Sequence, residues 1–373
     1  MQLSGFEEVP DKNHNNRNKS RHGMLRRSIK NRKDRELFSQ CFDENEINTY
    51  SVSTGVEAVH IVSEHQTASD LGYVAAKRLM DELSIDPQMI NVLIYSSLSP
   101  DYRRPATAGV LQYRLGLPIT CCAFDVGLAC SGFVYSQQII SSMLTSSDSE
   151  YALLIIAESP SIIVDQYNPM SMQFGDAGAA ILYRKSSKEC REITFLYTAG
   201  NRFKTLILPG GGFRDLNPSE EKTLCSDGRY RSKYDVYTDG VDFFSFATRD
   251  VVNTIKEYLD YTDTAISNYD QVILHQSNKM VLERFAKKLD IPKDKLPISL
   301  DEYGNTSGVS IPLTICKIFG DDCANEERRI LAVGYGTGLS WGITSFTIVP
   351  KNVYSVEMTD LVFSEGVIDL KTL

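Results

Sequence analysis

Three features that would assign a protein to a common class are missing from this chain of 373 residues. No stretch approaches the ~18 consecutive apolar residues that a membrane-spanning helix needs. The N-terminal residues MQLSGFEEVPDKNHNN have no basic start followed by an apolar run, so we expect no secretory signal peptide. The formal net charge of −9 and the pI near 5.2 argue against a general nucleic-acid binder. We therefore expect a globular cytoplasmic protein with no nucleic-acid partner.

Cysteine pairs of the metal-binding type are missing as well. The eight cysteines are scattered, and no two of them have the C-x-x-C spacing of a zinc or redox site. Reduced thiols in a cytosolic compartment are the natural interpretation, which leaves single cysteines available for chemistry. We predict no metal site and no cofactor. The cysteines are Cys41, Cys121, Cys122, Cys130, Cys190, Cys225, Cys316 and Cys323.

Residues 1–45 form a basic N-terminal extension. Its positive side chains stand among many asparagines and few large apolar residues, which is typical of a solvated loop or a partly disordered arm. An electropositive surface that docks an acidic carrier protein is the alternative. A nucleic-acid role is weaker, because aromatic residues are not interleaved with the charges. The positive residues of this extension are Lys12, Arg17, Lys19, Arg21, Arg26, Arg27, Lys30, Arg32, Lys33 and Arg35.

Beyond the extension, apolar strand-like runs alternate with segments of helical spacing. Strands are predicted at 91–97, 121–126, 151–159, 177–184, 271–277, 329–338 and 340–349, and helices at 68–83, 105–115, 130–145, 242–260, 278–289 and 307–318. This order indicates an α/β fold whose sheets are covered on both faces. Two roughly matching halves, 46–190 and 191–373, are suggested.

Cys130 is the first candidate for chemistry. It follows the predicted strand CCAFDV through the short link Gly127-Leu128-Ala129 and opens an apolar helix. A thiol at a helix N-terminus is near the positive end of the helix dipole, which favours the thiolate, and the free N–H groups there can hold an oxyanion. A buried packing cysteine is the alternative interpretation.

His275 and Asn305 are the next candidates. The other four histidines lie in the first 65 residues, whereas His275 ends an apolar strand, where active-site loops of α/β folds occur. Asn305 lies in the turn EYGNTSG, and by itself it would be a helix cap or a turn former. In the segment GYGTGLSWG (334–342), glycines could let backbone N–H groups approach a ligand closely. FGDAGAA (174–180) is interpreted as a structural turn.

These pieces together resemble a known family. The motifs DVGLACSGFVY, FGDAGAA, LHQSNKM, EYGNTSG and GYGTGLSWG have the order and spacing of β-ketoacyl-acyl-carrier-protein synthase III and its relatives. The resemblance covers about residues 45–350. It implies a thiolase-like fold in which two similar halves pack as αβαβα layers, usually in a homodimer, and a role in fatty-acid, surface-polysaccharide or specialised acyl biosynthesis.

The resemblance also implies a reaction and its residues. Cys130 would take an acyl group from an acyl-CoA or acyl-carrier-protein donor. His275 and Asn305 would hydrogen-bond the carbonyl of malonyl-acyl-carrier protein as CO₂ leaves, which gives a β-ketoacyl thioester. The backbone N–H groups of Cys130 and of Gly336, Thr337 and Gly338 would form the oxyanion hole.

Four positions depart from the family pattern. The tryptophan and arginine that grip the adenine of CoA are matched by Thr49 and Ser53, and an arginine that follows the histidine by five residues is matched by Met280. A carrier-protein donor is therefore plausible. Arg104 replaces a large apolar residue that limits the partner subunit's acyl pocket, so it could bind a polar acyl terminus or point to solvent.

Two other functions remain open. On the same fold, the enzyme could transfer its acyl group to an alcohol or amine without decarboxylation. The chain could also be a non-catalytic partner subunit of an active homologue, although such subunits usually lose one of the three residues retained here.

Overall fold

The computed structural model describes residues 32–186, 193–225 and 228–371. The strands are β1 Arg32–Lys33, β2 Val59–His60, β3 Ile90–Ser96, β4 Cys122–Val126, β5 Tyr151–Glu158, β6 Ala177–Arg184, β7 Thr194–Thr198, β8 Leu206–Ile207, β9 Thr223–Leu224, β10 Tyr230–Arg231, β11 Tyr237–Thr238, β12 Gln271–Leu274, β13 Arg328–Gly336 and β14 Ser340–Ile348. The helices are α1 Arg35–Phe38, α2 Glu44–Thr54, α3 Ala68–Glu82, α4 Thr107–Arg114, α5 Gly132–Ser146, α6 Gly240–Ser245, α7 Val252–Tyr261, α8 Lys279–Leu289, α9 Leu300–Tyr303 and α10 Ser310–Phe319.

The first sheet has the strand order β4-β3-β5-β6. Strands β4, β3 and β5 are parallel, and β6 is antiparallel to β5. The sequence of β5, YALLIIAE, is buried at every position. A parallel strand that is covered on both faces needs such a continuous apolar run, which explains why these strands could be predicted from the sequence.

The second sheet has the order β12-β13-β14-β7. Strands β12 and β13 are parallel, and β13, β14 and β7 are antiparallel neighbours. The sequence did not predict β7, in which no residue is fully buried: Leu196 and Thr198 are exposed and the other three are half-buried. The predicted helix over 242–260 is confirmed as a continuous helical segment in which the π-helical turn Phe246–Val251 joins α6 to α7.

Helices cover both sheets and separate them. Helices α3 and α4 pack on the outer face of the first sheet, α5 and α10 lie between the sheets, and α7 and α8 belong to the outer layer of the second. The predicted αβαβα layering is therefore confirmed. The central layer positions the site, because the loops that enter α5 and α10 meet there.

The two ends of the described chain pack against elements that are distant in the sequence. Phe38 and Phe42, near the N-terminus of the described chain, join the core of the second sheet. At the other end, Val353 joins the central core, and the side-chain amide of Gln66 donates to the carbonyl of Leu361 at 2.9 Å. Most of the predicted basic extension, residues 1–31, lies outside the described residues.

No helix in the described part of the chain combines the length and apolar composition needed to cross a membrane. Helix α5 has 15 residues, whereas a span of the hydrocarbon core takes about 20. Its apolar residues are instead buried between the two sheets, where they contribute to the central core.

Candidate active site

Cys130 lies two residues before the first residue of α5, where β13 passes against it. A Cβ atom added to Gly336 would stand 2.6 Å from the Cβ of Cys130 and 3.0 Å from its Sγ. A Cβ on Gly334 would lie 2.9 Å from the carbonyl oxygen of Cys130. These distances are too short for real side-chain atoms, so glycine on β13 makes room for the cysteine and places main chain beside its sulfur.

The Cys130 thiol is protonated in the free site. Burial raises the pKa of the thiol to about 12; the Ser307 hydroxyl acts in the opposite direction, and the Glu158 carboxylate raises the pKa further. The expectation that the helix N-terminus favours the thiolate is wrong for this state. Cys130 precedes the first turn of α5, and the loss of water outweighs the helix dipole.

His275 follows β12 directly and is held from both sides. Its backbone N–H donates to the carbonyl of Val333 at 2.8 Å, and its Nδ1 is 2.8 Å from the Oγ of Ser310 at the start of α10. The edge of the Tyr335 ring packs against the imidazole. Burial lowers the pKa of His275 to about 3, and a hydrogen bond with the main chain of Ser307 offsets this only in part. The imidazole is therefore neutral at pH 7.

Asn305 is fixed by its main chain in the turn after α9. Its N–H donates to the carbonyl of Gln173 at 2.7 Å, and its own carbonyl accepts from Gly175 at 3.2 Å. The side-chain Oδ1 accepts from the N–H of Ser307 at 2.9 Å. This bond orients the amide, so that its Nδ2 is the group left to donate to a ligand.

Ser307 connects all three predicted residues, and the sequence analysis missed it. Its hydroxyl is 3.7 Å from the Sγ of Cys130, its N–H is bound by Asn305, and its main chain hydrogen-bonds the imidazole of His275. Its φ of 53° lies in the left-handed region, which costs a non-glycine residue about 1 kcal/mol or more. The motif GNTSG contains Ser307, but only the asparagine in it was identified as a site residue.

Glu158 is the second missed residue. It ends β5 with 3% of its surface exposed, and its carboxylate accepts from the N–H of Leu98 at 3.2 Å and from the hydroxyl of Ser99 at 3.0 Å. Burial raises its pKa to about 7, although hydrogen bonds from Ser99, Leu98, Ser97 and Ser307 each lower it. Glu158 is thus a buried titratable group close enough to Cys130 for its charge to raise the pKa of the thiol.

The turn between β13 and β14 is tied to the segment around Cys130. The hydroxyl of Ser340 donates to the carbonyl of Thr337 at 2.8 Å and stands 2.7 Å from the hydroxyl of Ser131. The hydroxyl of Thr337 donates to the carbonyl of Leu206 at 2.9 Å. Gly338 has a φ of 129°, which side-chain-bearing residues rarely adopt. These contacts hold the predicted oxyanion-hole segment in one conformation.

Arg104 is placed differently from the other predicted residues. It is exposed on the loop between β3 and α4, and within the described residues no hydrogen bond or ion pair joins it to the Cys130 group. Of the positions that depart from the family pattern, Thr49 is exposed, Ser53 is half-buried with its hydroxyl bound to the carbonyl of Tyr50, and Met280 is 55% exposed.

Metal ligands do not converge anywhere in residues 32–186, 193–225 or 228–371, where no group of three or more His, Cys, Asp or Glu side chains could hold an ion. The Cys130 group consists of a thiol, a neutral imidazole, a carboxamide and main-chain N–H groups. This set can attack a carbonyl carbon and donate hydrogen bonds to the negative oxygen that forms.

Comparison with known proteins agrees with this set of groups. The family model described as 3-oxoacyl-[acyl-carrier-protein] synthase III matches residues 124–200, and the model of the C-terminal part of the same enzyme matches residues 259–348. β-Ketoacyl-[acyl-carrier-protein] synthase III from Clostridium perfringens (strain SM101 / Type A) is 31% identical over 78% of this chain and 87% of its own length. Its counterpart from Streptococcus gordonii (strain Challis) is 31% identical over 80% of this chain and 90% of its own.

Solved structures extend the similarity to the fold. The crystal structure of 3-oxoacyl-(acyl-carrier protein) synthase from Burkholderia xenovorans LB400 matches with a TM-score of 0.83 and 29% identity, over 89% of this chain and 94% of that one. A second 3-oxoacyl-(acyl-carrier-protein) synthase III matches with a TM-score of 0.80 and 25% identity. This chain belongs to the 3-oxoacyl-[acyl-carrier-protein] synthase III family and is an enzyme of the condensing acyltransferase type.

Proposed function

We propose that this enzyme carries out a decarboxylating Claisen condensation between an acyl group bound to Cys130 and malonyl-acyl-carrier protein. The observation that supports the proposal most directly is the convergence of Cys130, His275 and Asn305 on Ser307 in the central layer. The product is a β-ketoacyl thioester on the carrier protein. The chemistry uses side chains and main-chain groups only and needs no cofactor.

Acyl transfer to Cys130 is the first half of the reaction. The thiolate attacks the carbonyl of the donor thioester, the C–S bond of the donor breaks, and the departing thiolate takes up a proton. Negative charge on the carbonyl oxygen is held by the N–H of Cys130 and by the main chain of Gly336, Thr337 and Gly338. Gly336 supports this role, since its position against the sulfur brings backbone within reach of the reacting carbon.

Decarboxylation and condensation form the second half. The thioester carbonyl of the malonyl group accepts from the imidazole of His275 and from the Nδ2 of Asn305, so electrons released as CO₂ leaves collect on a stabilised enolate. A pKa of about 3 keeps His275 neutral, and it therefore acts as an N–H donor without contributing a charge. The enolate carbon attacks the acyl-cysteine, and Cys130 departs as the thiolate. Loss of one such donor costs about 3–4 kcal/mol.

A homodimer is the proposed assembly. Strand β4 pairs with β3 alone among the described strands, so its other edge offers unpaired backbone groups, and Cys122 on it is exposed. Two copies paired through β4 would cover this edge and bring the exposed Arg104 of one copy toward the other. Sedimentation should show a dimer, and iodoacetamide should modify Cys122 far more slowly than the exposed Cys323. Equal modification of the two thiols in a sedimenting monomer would contradict the proposal.

A cytoplasmic location and the absence of a nucleic-acid partner belong to the same proposal. All seven cysteines that the structure describes are free thiols, which suits a reducing compartment. The net charge of −9 opposes binding to a phosphate backbone. Exposed Thr49 and Met280, at positions where the family grips CoA, favour an acyl-carrier protein as donor over acyl-CoA.

The test is the intact mass of the protein after incubation with a panel of acyl-CoA and acyl-carrier-protein donors, followed by malonyl-acyl-carrier protein. We expect one acyl adduct, absent in Cys130→Ala, that disappears with release of one CO₂ when the malonyl thioester is added. Loss of the adduct to an alcohol or amine without CO₂ would indicate the non-decarboxylating acyltransferase. No adduct from any donor would favour the non-catalytic partner subunit.

A further inference from the structure

We infer that this protein binds an unbranched fatty acid of about eight carbons in a cavity that is separate from the Cys130 group. The inference does not depend on the proposed function, because none of Cys130, His275 and Asn305 lines this cavity. The carboxylate of the ligand pairs with Arg78 at the rim, and its hydrocarbon chain lies against apolar walls.

The cavity lies beside β6, the last strand of the first sheet, and has a volume of about 200 Å³. Strand β6, helices α3 and α10 and the C-terminal segment 352–359 line it. Leu71 and Val74 contribute to the walls from α3, and Leu313 and Ile315 contribute from α10. Walls of this composition remove a hydrocarbon chain from water, which is the main source of affinity for such a ligand.

The wall that the C-terminal segment forms is held in place by main-chain contacts. The guanidinium of Arg78 donates to the carbonyl of Ser355 at 2.8 Å, and the side-chain amide of Gln66 donates to the carbonyl of Leu361 at 2.9 Å. The segment lies beyond residue 348, where the match to the family model ends. Because these bonds involve no ligand, the cavity is formed before a ligand enters.

Arg78 supplies the positive charge for a carboxylate. Its Nη1 contacts both the carbonyl of Ser355 and, at 3.3 Å, the carboxylate of Glu357. In the described part of the chain, no hydrogen bond or ion pair engages Nε or Nη2, and this side of a guanidinium can bind a second carboxylate through two parallel bonds. The Glu357 side chain is 45% exposed, so water screens its charge and it competes only weakly.

The two ends of the cavity differ in charge, which sets the direction of the ligand. Gly178, near the start of β6, packs so closely on α3 that an added Cβ would stand 2.5 Å from the carbonyl carbon of Leu71. Asp176 therefore lies at this end, where its carboxylate accepts from the N–H of Val62 at 2.8 Å and opposes a second negative charge. Arg78 lies about two turns, or about 10 Å, further along α3. The carboxylate of the ligand binds at Arg78, and the methyl end points toward the start of β6.

The volume of the cavity limits the length of the chain. A methylene group needs about as much space as a water molecule, about 30 Å³, so 200 Å³ holds about six or seven of them. With the carboxylate at the rim, octanoate is the longest saturated chain that fits. Each buried methylene should tighten binding about fourfold until the cavity is full.

The test is the affinity of the full-length protein for straight-chain carboxylates from butanoate to dodecanoate, measured by isothermal titration calorimetry. We expect the affinity to rise about fourfold per methylene up to octanoate and to stop rising beyond it. A rise that continues to dodecanoate is typical of surfactant adsorption and would contradict a cavity of fixed size. The absence of octanoate binding at millimolar concentration would also overturn the inference.

The head group and the cavity are tested by separate variants. Arg78→Gln should weaken octanoate binding about tenfold or more and leave binding of uncharged 1-octanol unchanged. Lys77→Gln is the matched control, because it removes the same charge from α3 at a residue that pairs with Asp81 and does not line the cavity. Equal weakening by the two variants would refute a direct pair with Arg78.

Ala75→Leu tests the cavity without touching Arg78 or the bond from Arg78 to Ser355. Ala75 lines the cavity from α3, and leucine adds three carbons to that wall. The longest chain that fits should therefore shorten to about five carbons. An unchanged preference for octanoate in this variant would overturn the inference.

Cys316 reports where octanoate binds, because it lines the cavity. Octanoate should slow the alkylation of Cys316 by N-ethylmaleimide, measured by peptide mass spectrometry, and leave the exposed Cys323 unaffected. Protection of Cys130 without protection of Cys316 would place octanoate in the acyl pocket and refute the separate site. Protection of Cys316 in a protein that forms no acyl adduct would refute the proposed function alone. Normal acylation without protection of Cys316 would refute the fatty-acid site alone.

Discussion

Replacement of Gly336 by alanine should disable Cys130 with little effect on the fold. The added methyl carbon would lie 2.6 Å from the Cβ of Cys130 and 3.0 Å from its Sγ. Nonbonded atoms of this kind are usually about 3.5–4.0 Å apart, so the overlap is about 1 Å. Because Gly336 lies on a buried strand and pairs with Ser340 of β14, the cysteine side chain is the part that moves.

The expected losses of stability and of acylation rate follow from this displacement of the Cys130 side chain. Overpacking of a filled interior costs about 1–3 kcal/mol of stability, and a reacting atom misplaced by about 1 Å loses about 10²-fold in rate. We therefore expect Gly336→Ala to fold, to unfold at a moderately lower denaturant concentration, and to form acyl-enzyme about a hundredfold more slowly. Intact-mass time courses and denaturant titrations measure the two effects separately.

Gly109→Ala is the control for the same change of residue. Gly109 is exposed on α4, and an added Cβ would meet nothing within 4 Å. Alanine in an exposed helix should stabilise the protein by about 0.5–1 kcal/mol and leave acylation unchanged. Acylation of Gly336→Ala at the wild-type rate would refute the close approach of β13 to Cys130 and with it the proposed oxyanion hole.

Three further predictions concern the second half-reaction, the acyl pocket and the buried acid. His275→Ala should keep Cys130 acylation and slow CO₂ release from malonyl-acyl-carrier protein by about 10²–10³-fold, and an equal loss in both steps would contradict its role as donor. Arg104→Phe should shift acyl preference from polar-ended toward apolar chains in intact-mass competition, and an unchanged preference would remove Arg104 from the pocket. Glu158 has a folded-state pKa of about 7, above its ordinary 4.5, so its stabilising contribution is present below about pH 4.5 and lost as pH rises through 7. Relative to Glu158→Gln, the wild type should lose about 3 kcal/mol of unfolding free energy between pH 4.5 and pH 8 in urea titrations. If the difference in unfolding free energy between the two proteins does not change with pH, the raised pKa of Glu158 is refuted. Asp176, whose pKa is about 6, titrates in both proteins, so its contribution cancels in this difference.

Most strands of the two sheets could be predicted from the sequence, because a strand that is buried on both faces consists of a continuous run of apolar residues. The run Ala177–Arg184 was predicted with its observed bounds, and 151–159 differs by one residue from the strand Tyr151–Glu158. Strand β7 gave no such signal, because it lies at the sheet edge and only β14 pairs with it among the described strands. The position of β7 in the sheet depends on contacts with residues that are distant in the chain. The periodicity of its own sequence does not reveal those contacts.

The residues of the site also fall into two groups: those that the local sequence identifies and those that it does not. Cys130, His275 and Asn305 each stand in a short motif at the end of an element, so local sequence identifies them. Ser307 and Glu158 stand in equally short motifs, but a serine in a turn and a glutamate at a strand end have ordinary structural interpretations. Their importance arises only when β5 and the turn before α10 are packed together, which links residues far apart in the chain.

The protonation state of Cys130 was predicted wrongly from its position at a helix N-terminus. The cause is burial, which affects every ionisable group in the interior. A helix terminus acts over its first turn, whereas burial acts on every charged form in the site. Burial raises the pKa of Cys130 and of Glu158 and lowers that of His275, so all three groups favour their neutral forms. With the Cys130 thiol and the His275 imidazole both neutral, an apolar acyl chain can enter the site without first separating an ion pair between them. The negative oxygen that then forms during acyl transfer or decarboxylation is the main new charge in the interior, and N–H donors aimed at it act with little competition from water.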